Sequence, residues 1–564
     1  MLLRTAAATV VVSLALGSAL GAAQRGRERP AWCGTRAAGA RDAVWAHLER
    51  LARDRPHVAI KTGAALDVGE IAVLQDEGDL ALLRNPLDLQ RAGLEFMPQQ
   101  NGHRVSRVDR PVAGTAGDRL PLGDDDSAEI GLPFTFSFFG QPQQRVFVNS
   151  DGNLTFGQGD NASTARSLGR FMAGPPRIAP LFADLNPAAG GRVTTSSQAD
   201  RFSVTWTSVP QYGATDANTF EVTLRADGTI EFAYDAQLSA QIEEGVVGIA
   251  PGAEQGGLTP VDFASASGVE GVGALAESLQ TEDSIDTVAV ARKFYRDHPD
   301  DFMQLVVFTS RSLTAEGTFA YEQTVRNPDG GIGATQVDLG AAFGSPASLQ
   351  SVVFMDDIAK YPEDLADRFL GADSALGVLA HEAGHRWLAQ ATFRDGAQDS
   401  RELLGRDDVH WSFFMDTDAS HLEGNDIEDL GGGSFRTVAA GQRYSPLDQY
   451  LMGLRGPAEV APFFFVRGPF GVADTDPGRD PRVGVSFRGS RKDVSIEDVI
   501  AAIGPRIPPA GQAPNRFRQA FIFVAVGEAP DPADIQRVDR FRGAWEPHFQ
   551  RATDDRATVG TQLQ

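Results

Sequence analysis

The stretch HEAGH at residues 381–385 contains the residues whose types and spacing are best suited to chemistry. His381 and His385 are four positions apart, so on a helix both imidazoles share one face and can bind one Zn²⁺ at about 2.0–2.1 Å. Glu382 lies beside the first histidine, where its carboxylate can face a metal-bound water and act as general base. The motif therefore predicts a catalytic zinc site.

The third zinc ligand is left open by the motif. We favour Asp448, in YSPLDQYLMGL, because its separation from HEAGH resembles that of gluzincins, which carry a third carboxylate on a remote second helix. Glu423 and His410 are the alternatives. A peptide-cleaving site also needs a donor for the oxygen that becomes negative during attack. His410, Tyr444 and Tyr450 are the candidates for that donor, and we slightly favour His410.

A helix must present the HEAGH residues, and the surrounding sequence ADSALGVLAHEAGHRWLAQATF favours one. Asp373 or Ser374 can cap its start, and apolar residues recur with helical spacing without an intervening proline. We therefore predict a helix over residues 374–391.

Composition excludes several classes of protein. The chain has 564 residues, of which 42% are hydrophobic and 22% charged, so it can form several domains with buried cores. Its formal net charge of −24 disfavours binding to nucleic acid or to an anionic membrane surface. Cys33 is the one cysteine in the sequence, so any metal must be held by histidines and carboxylates.

An apolar run at residues 5–23 follows Arg4 and ends in small residues. This pattern is typical of a secretory signal peptide. An uncleaved membrane anchor is the alternative, since about twenty apolar residues can span a bilayer. No second such run follows, and an exported chain without disulfides is more typical of bacteria. We expect a secreted, periplasmic or cell-surface bacterial protein that has no membrane attachment after signal cleavage.

Changes in sequence pattern predict five segments. They are a signal peptide at 1–23, a leader or pro-segment with a small β unit at 24–110, a β domain at 111–251, a linker at 252–280, and an α+β domain at 281–564. The β domain is inferred from alternating apolar and polar residues between turn dipeptides such as Asp227-Gly228. Helical and strand patterns alternate in the last segment.

The β domain resembles the nidogen-like extracellular domain. The resemblance is carried, in order, by FTFSFFG, VNSDGNLTFG, PRIAPLFADLNP, RFSVTW and FEVTLRADGTIEF. It implies a β-sandwich that serves adhesion to a protein partner outside the cell or presents a neighbouring domain, and it implies no catalytic residues. Within this domain Asp124, Asp125 and Asp126 could bind Ca²⁺, although a solvated acidic turn is the favoured interpretation.

The last segment resembles a group of exported bacterial zincin-like proteins. The matching stretches are HEAGHRWLA, DVHWSFF, LEGND and YSPLDQYLMGL. The resemblance implies a small mixed sheet over the active-site helix and a mainly helical lower part. It also implies that His381 and His385 are metal ligands and that Glu382 is the base.

These observations predict a secreted zinc endopeptidase that acts on protein or peptide substrates, joined to an adhesive β module. A surface-binding protein with a weak or inactive zinc domain is one alternative. A zinc amidase that acts on cell-wall peptides is another.

Overall fold

The structure is a computed structural model that describes residues 66–564, apart from 78, 101, 114–116, 164–165, 167, 240–241, 243, 254, 256, 282 and 315–317. The predicted signal peptide and Cys33 lie outside the described residues. Among the helices that are described, none combines the length and apolar character needed to cross a bilayer.

The first half of the described chain forms a β-sandwich. Three short strands precede it, namely β1 (Leu66–Val68), β2 (Ile71–Gln75) and β3 (Ala81–Leu82). The sandwich strands are β4 (Gly93–Gln99), β5 (Gly102–Val108), β6 (Asp118–Leu120), β7 (Ser127–Phe138), β8 (Gln141–Asn149), β9 (Asn153–Thr155), β10 (Arg177–Ala183), β11 (Arg192–Gln198), β12 (Arg201–Val209), β13 (Asn218–Arg225), β14 (Ile230–Tyr234), β15 (Glu244–Ala250), β16 (Leu258–Pro260), β17 (Ser267–Gly271) and β18 (Ala274–Gln280). The short helix α1 (Leu168–Ala173) lies between β9 and β10.

Alternation of side chains builds the sandwich core. One sheet has the strand order β16-β18-β15-β10-β9-β8-β7, and the other has the order β17-β5-β4-β14-β13-β12-β11-β6. On β12, Phe202, Val204 and Trp206 are fully buried at every second position, as a two-residue period requires. The hairpin predicted at Asp227-Gly228 is confirmed between β13 and β14, where Gly228 takes a φ of +91°.

Two predicted boundaries are wrong because both segments supply strands to larger sheets. The linker predicted at 252–280 contains β16, β17 and β18, and β18 pairs with β15 along its length. The described part of the predicted 24–110 leader does not form a separate β unit. Its β4 and β5 belong to the sandwich, whereas β2 runs parallel to a strand near the other end of the chain. The sequence of a short strand does not reveal its partner when the two strands are hundreds of residues apart, because their pairing leaves no local pattern.

The rest of the chain forms a mixed α/β unit. Its strands are β19 (Ser284–Ile285), β20 (Gln304–Thr309), β21 (Tyr321–Thr324), β22 (Arg326–Asn327), β23 (Val337–Asp338), β24 (Ser351–Asp357), β25 (Arg368–Leu370), β26 (Asp373–Ser374), β27 (Phe393–Asp395), β28 (Gln398–Ser400), β29 (Asn425–Gly431), β30 (Ser434–Ala440), β31 (Phe463–Phe470), β32 (Ser486–Val494), β33 (Arg516–Ala525) and β34 (Thr558–Gly560). Its helices are α2 (Thr287–Tyr295), α3 (Ala375–Gly384), α4 (Pro446–Leu451), α5 (Ile496–Ile503) and α6 (Pro532–Ala552).

A mixed sheet organises this unit. Its order is β1-β2-β33-β20-β24-β21, with β34 also paired to β33, and β2, β33, β20 and β24 run parallel. Helices cover both faces, since α3 and α6 share one apolar cluster with the sheet and α2 shares another. The amide of Gln304, at the start of β20, donates to the carbonyl of Ala383 near the end of α3 at 3.1 Å. This hydrogen bond therefore anchors the end of α3 to the sheet.

The part of the chain that follows α3 is not mainly helical, contrary to the expectation from the zincin-like resemblance. It contains a four-stranded sheet, β29-β30-β32-β31, the two short helices α4 and α5, and the 21-residue helix α6. Phe413, Phe435, Phe464 and Phe487 are buried on this sheet and give it an apolar cluster of its own.

The strand pairing predicts that residues 66–110 cannot be removed without loss of structure. A chain that begins at residue 111 would lack β1 and β2 of the mixed sheet as well as β4 and β5 of the sandwich. We expect it to lose the cooperative thermal unfolding transition measured by circular dichroism, while a chain that begins at residue 66 retains it. Matching melting curves for the two chains would show that this region is a dispensable pro-segment.

Candidate metal centre

Helix α3 carries the HEAGH motif and begins where its sequence predicts. The side chain of Ser374 caps it by accepting the backbone N–H of Gly377 at 3.1 Å, a contact that stabilises a helix by about 1 kcal/mol. The helix ends at Gly384, earlier than the predicted residue 391. Arg386 there turns to donate to the buried carboxylate of Asp329 at 3.0 Å. His385, as the C-cap, keeps helical dihedral angles, so the spacing of the two histidines survives.

Three imidazole nitrogens converge at the buried end of α3. The Nε2 atom of His381 lies 3.0 Å from Nε2 of His385 and 3.2 Å from Nε2 of His410. All three side chains are almost completely buried. The structure therefore brings together the two predicted ligands and His410, which the sequence placed among the alternatives for the third ligand.

Hydrogen bonds made by the Nδ1 atoms of His381 and His410 determine the tautomers of these two rings. Nδ1–H of His381 donates to the carbonyl of His421 at 2.8 Å, and Nδ1–H of His410 donates to the carbonyl of Arg406 at 2.8 Å. Burial, followed by the positive charge of Arg406, lowers the pKa of His381 to about 3, and the same two causes lower the pKa of His410 well below its usual value. Both rings are therefore neutral, and their Nε2 atoms carry lone pairs that face each other.

This arrangement fits a zinc ion. A tetrahedral ion with bonds of about 2.0–2.1 Å would hold its ligand nitrogens roughly 3.3 Å apart, close to the spacing seen here. Carbonyls that accept the Nδ1–H groups are the usual outer partners of metal-bound histidines. His381, His385 and His410 are the residues that would hold the metal.

Glu382 is fully buried on α3 between the two histidines of the motif. Its position next to His381 is the one that the motif requires of a general base. The role predicted for Glu382 stays a prediction.

Asp448 does not join the three histidines, and His410 lies where the third ligand was expected. Its carboxylate accepts the indole N–H of Trp411 at 2.8 Å, the hydroxyl of Ser420 at 2.6 Å and the backbone N–H of Ser445 at 2.7 Å. These contacts use both oxygens. Asp448 instead ties α4 to the loop on which His410 and His421 lie.

Glu423, the other alternative, pairs with an arginine. Its Oε1 atom accepts from Nη2 of Arg406 at 2.5 Å and from Nε of Arg406 at 2.9 Å. The same oxygen lies 3.8 Å from Nε2 of His410. Glu423 is thus close to the metal centre but bound to Arg406, a residue that sequence reasoning missed because arginine is not a metal ligand.

The two tyrosines predicted as oxygen-stabilising donors are engaged elsewhere. The hydroxyl of Tyr444 donates to the carbonyl of Ala380 at 2.6 Å, and the hydroxyl oxygen of Tyr450 accepts the backbone N–H of Arg506 at 3.1 Å. With His410 among the metal-facing histidines, none of the three residues predicted as donors is placed for that task.

Asp373, just before the start of α3, is a carboxyl group whose titration sequence reasoning missed. Asp373 is buried, and its burial together with the charge of Glu423 raises its pKa to about 8. Its Oδ1 atom has no hydrogen-bond partner among the described residues. Asp373 is therefore protonated at neutral pH.

The acidic turn of the sandwich is held by protein partners. Asp125 accepts from Arg166 at 2.5 Å, and Asp126 accepts the backbone N–H groups of Gly123 and Ser127. Arg166 also pairs with Asp151 at 2.8 Å. The guanidinium of Arg166 thus pairs with the carboxylates of Asp125 and Asp151. Calcium binding at this turn stays a prediction.

Comparison with known proteins identifies part of the chain. Residues 109–296 match the family described as NIDO related, which confirms the nidogen-like domain predicted from the order of motifs. Alpha-tectorin of Mus musculus is 31% identical over 143 residues, which cover 20% of this chain and 7% of alpha-tectorin. The chain thus spans a small part of the length of this curated relative. No solved structure matches the chain significantly. The candidate metal centre lies outside the range matched by the NIDO-related family.

Substitution of the candidate ligands should separate His410 from Asp448. We expect His410→Ala to lose stoichiometric zinc binding, because it removes one of three convergent nitrogens. Asp448→Asn should keep one zinc per chain with at most about a 10–100-fold loss of affinity, as for residues that support ligands from outside. Elemental analysis and competition with a chelator measure both. The reverse order of effects would restore Asp448 as the ligand.

The pKa of Asp373 predicts a pH-dependent stability. With a native pKa of about 8 and an ordinary value of 3.8 when unfolded, the native state binds more protons in between. The free energy of unfolding therefore falls as pH rises from about 4 to about 8. We expect Asp373→Asn to raise the melting temperature more at pH 8 than at pH 5, and Asp367→Asn, an exposed neighbour, to do neither. A pH-independent effect of Asp373→Asn would contradict the pKa.

Proposed function

We propose that the protein is an exported zinc-dependent peptidase in which a NIDO-related sandwich is joined to a catalytic α/β unit. The observation that carries this proposal is the pair of imidazole lone pairs, on Nε2 of His381 and His410, which face each other at 3.2 Å in a buried site. Two acceptors at that distance repel each other. The N–H group of Arg406 that donates to His410 relieves this only in part, whereas a cation bound to both nitrogens would relieve it fully. Zinc suits three imidazole ligands that leave one position open.

The chemistry follows from the residues around this centre. When bound, zinc would lower the pKa of a water molecule toward neutrality and polarise the substrate carbonyl. Glu382 takes a proton from the attacking water and delivers it to the nitrogen of the leaving amine. The buried surroundings of the histidines strengthen these electrostatic interactions because they exclude bulk water. Protein and peptide substrates are the expected class.

The sandwich supports an extracellular role. Residues 109–296, which include most of the sandwich, match the NIDO-related family. The two sheets of the sandwich bury a continuous apolar core between them. We assign it adhesion to a protein partner outside the cell, or presentation of the α/β unit to a substrate.

A second candidate function is a binding protein without catalytic turnover. It is favoured by one observation, namely that the family match lies in the sandwich and outside the metal centre. The presence of Glu382 on the helix between the two histidines supports the peptidase instead, because metal binding alone does not require that carboxylate.

Removal of the proposed base distinguishes the two functions. We expect Glu382→Gln to keep zinc and fold while casein hydrolysis falls by about 10²–10⁴-fold, since general acid–base catalysis contributes this much. Chelator treatment should abolish hydrolysis by the unsubstituted protein.

The matched control is Glu402→Gln, which changes an exposed glutamate that pairs with Arg467 away from the histidines. It should cleave at the rate of the unsubstituted protein. If the unsubstituted protein binds zinc but does not cleave, or if Glu382→Gln cleaves normally, the peptidase proposal fails and the binding function takes its place.

A further inference from the structure

The proposed peptidase still needs a group that binds the carbonyl oxygen of the substrate. Negative charge develops on that oxygen during attack, and a preorganised donor beside the metal stabilises it. Tyr444 and Tyr450 have other hydrogen-bond partners, and His410 faces the metal position. A donor that directly contacts one of the three histidines is therefore a stronger candidate.

Arg406 reaches the centre from the loop that carries His410. Its Nη2 atom lies 3.0 Å from Nε2 of His410, and its backbone carbonyl accepts Nδ1–H of the same ring. Because His410 is a neutral acceptor at Nε2, the Nη2–H group is the donor in this contact. The Nη2–H group therefore points at Nε2 of His410, the atom that would also bind the metal.

Glu423 holds the guanidinium in this orientation. It accepts from both Nε and Nη2 of Arg406, and its side chain is 4% exposed. A buried pair of this kind is costly to break, because either partner alone would be an uncompensated charge. The orientation of Arg406 is therefore preorganised before any substrate arrives.

The exposure of the side chains places Arg406 on the solvent side of the histidines. Its side chain is 18% exposed, whereas that of His410 is completely buried.

We propose that Arg406 binds the carbonyl oxygen of the scissile amide and that Glu423 is its positioning residue. Nη2 has two hydrogens, of which one donates to Glu423 and the other to Nε2 of His410. A metal bound to that nitrogen would take over the lone pair and displace the second contact, while the contacts with Glu423 keep the guanidinium beside the centre. The displaced Nη2–H group can then donate to a substrate carbonyl. This inference rests on the proposed peptidase function.

The first test compares rates. We expect Arg406→Ala to lower kcat by about 10²–10³-fold, as the loss of one oxyanion donor does elsewhere, with a much smaller change in KM. Added guanidinium should restore part of the rate. Glu423→Gln should lower kcat less, because it loosens the donor without removing it. Arg401→Ala is the control, since Arg401 is an exposed arginine of the same loop that pairs with Asp408.

The second test does not depend on turnover. A peptide phosphonamidate, which mimics the tetrahedral state, should bind the zinc-loaded Arg406→Ala protein about 10²-fold more weakly than the unsubstituted protein. An uncleaved ketomethylene peptide should bind both about equally. Zinc affinity, measured by chelator competition, should change less than tenfold. The double variant Arg406→Ala with Glu423→Gln removes both charges and guards against misfolding caused by one unpaired buried charge.

The outcomes separate this inference from the function on which it rests. If the unsubstituted protein cleaves and Arg406→Ala cleaves equally well, or binds the phosphonamidate as tightly, the role of Arg406 is overturned and the peptidase stands. If Arg406→Ala and the double variant both lose zinc, Arg406 supports the ligands instead and the proposal is again overturned. An unsubstituted protein that holds zinc and cleaves nothing overturns both proposals.

Discussion

Hydrogen bonds from two imidazole Nδ1–H groups to backbone carbonyls determine what the end of α3 can bind. Each carbonyl lies in the loop region after α3, at His421 and at Arg406. If either contact were lost, a ring could rotate or change tautomer, and its Nε2 lone pair would no longer point toward the other nitrogens. The path of this loop is therefore as important to the centre as the histidines themselves.

The rest of the α/β unit holds that loop and α3 at a fixed separation. Asp448 ties the indole of Trp411, next to His410, and the hydroxyl of Ser420, next to His421, to the start of α4. On the other side, Gln304 of the sheet anchors the end of α3. The helix and the loop are each attached to a different rigid element. This explains why Asp448, although it lies away from the metal position, is completely buried and bonded on both oxygens.

The sequence predicted what depends on neighbouring residues and missed what depends on distant pairing. The HEAGH helix, its Ser374 cap and the Asp227-Gly228 hairpin follow from spacing over a few residues, and the structure confirms them. The structure brings His410 rather than Asp448 to the other two histidines. The sequence could not show this, because a carboxylate on a second helix can serve either a metal or a loop, and only tertiary contacts distinguish the two. Likewise, β2 was assigned to a leader segment because its partner, β33, lies more than four hundred residues away.

Electrostatics near the centre is arranged so that the imidazoles stay uncharged. Burial and Arg406 lower the pKa values of His381 and His410, and Glu423 compensates the charge of that arginine. Asp373 stays protonated, because its burial and the charge of Glu423 both raise its pKa. His381 and His410 are thus neutral, and the buried carboxylate of Glu382, next to His381 in the chain, favours a nearby cation when ionised. A divalent metal at the three Nε2 atoms would satisfy the lone pairs and that charge together.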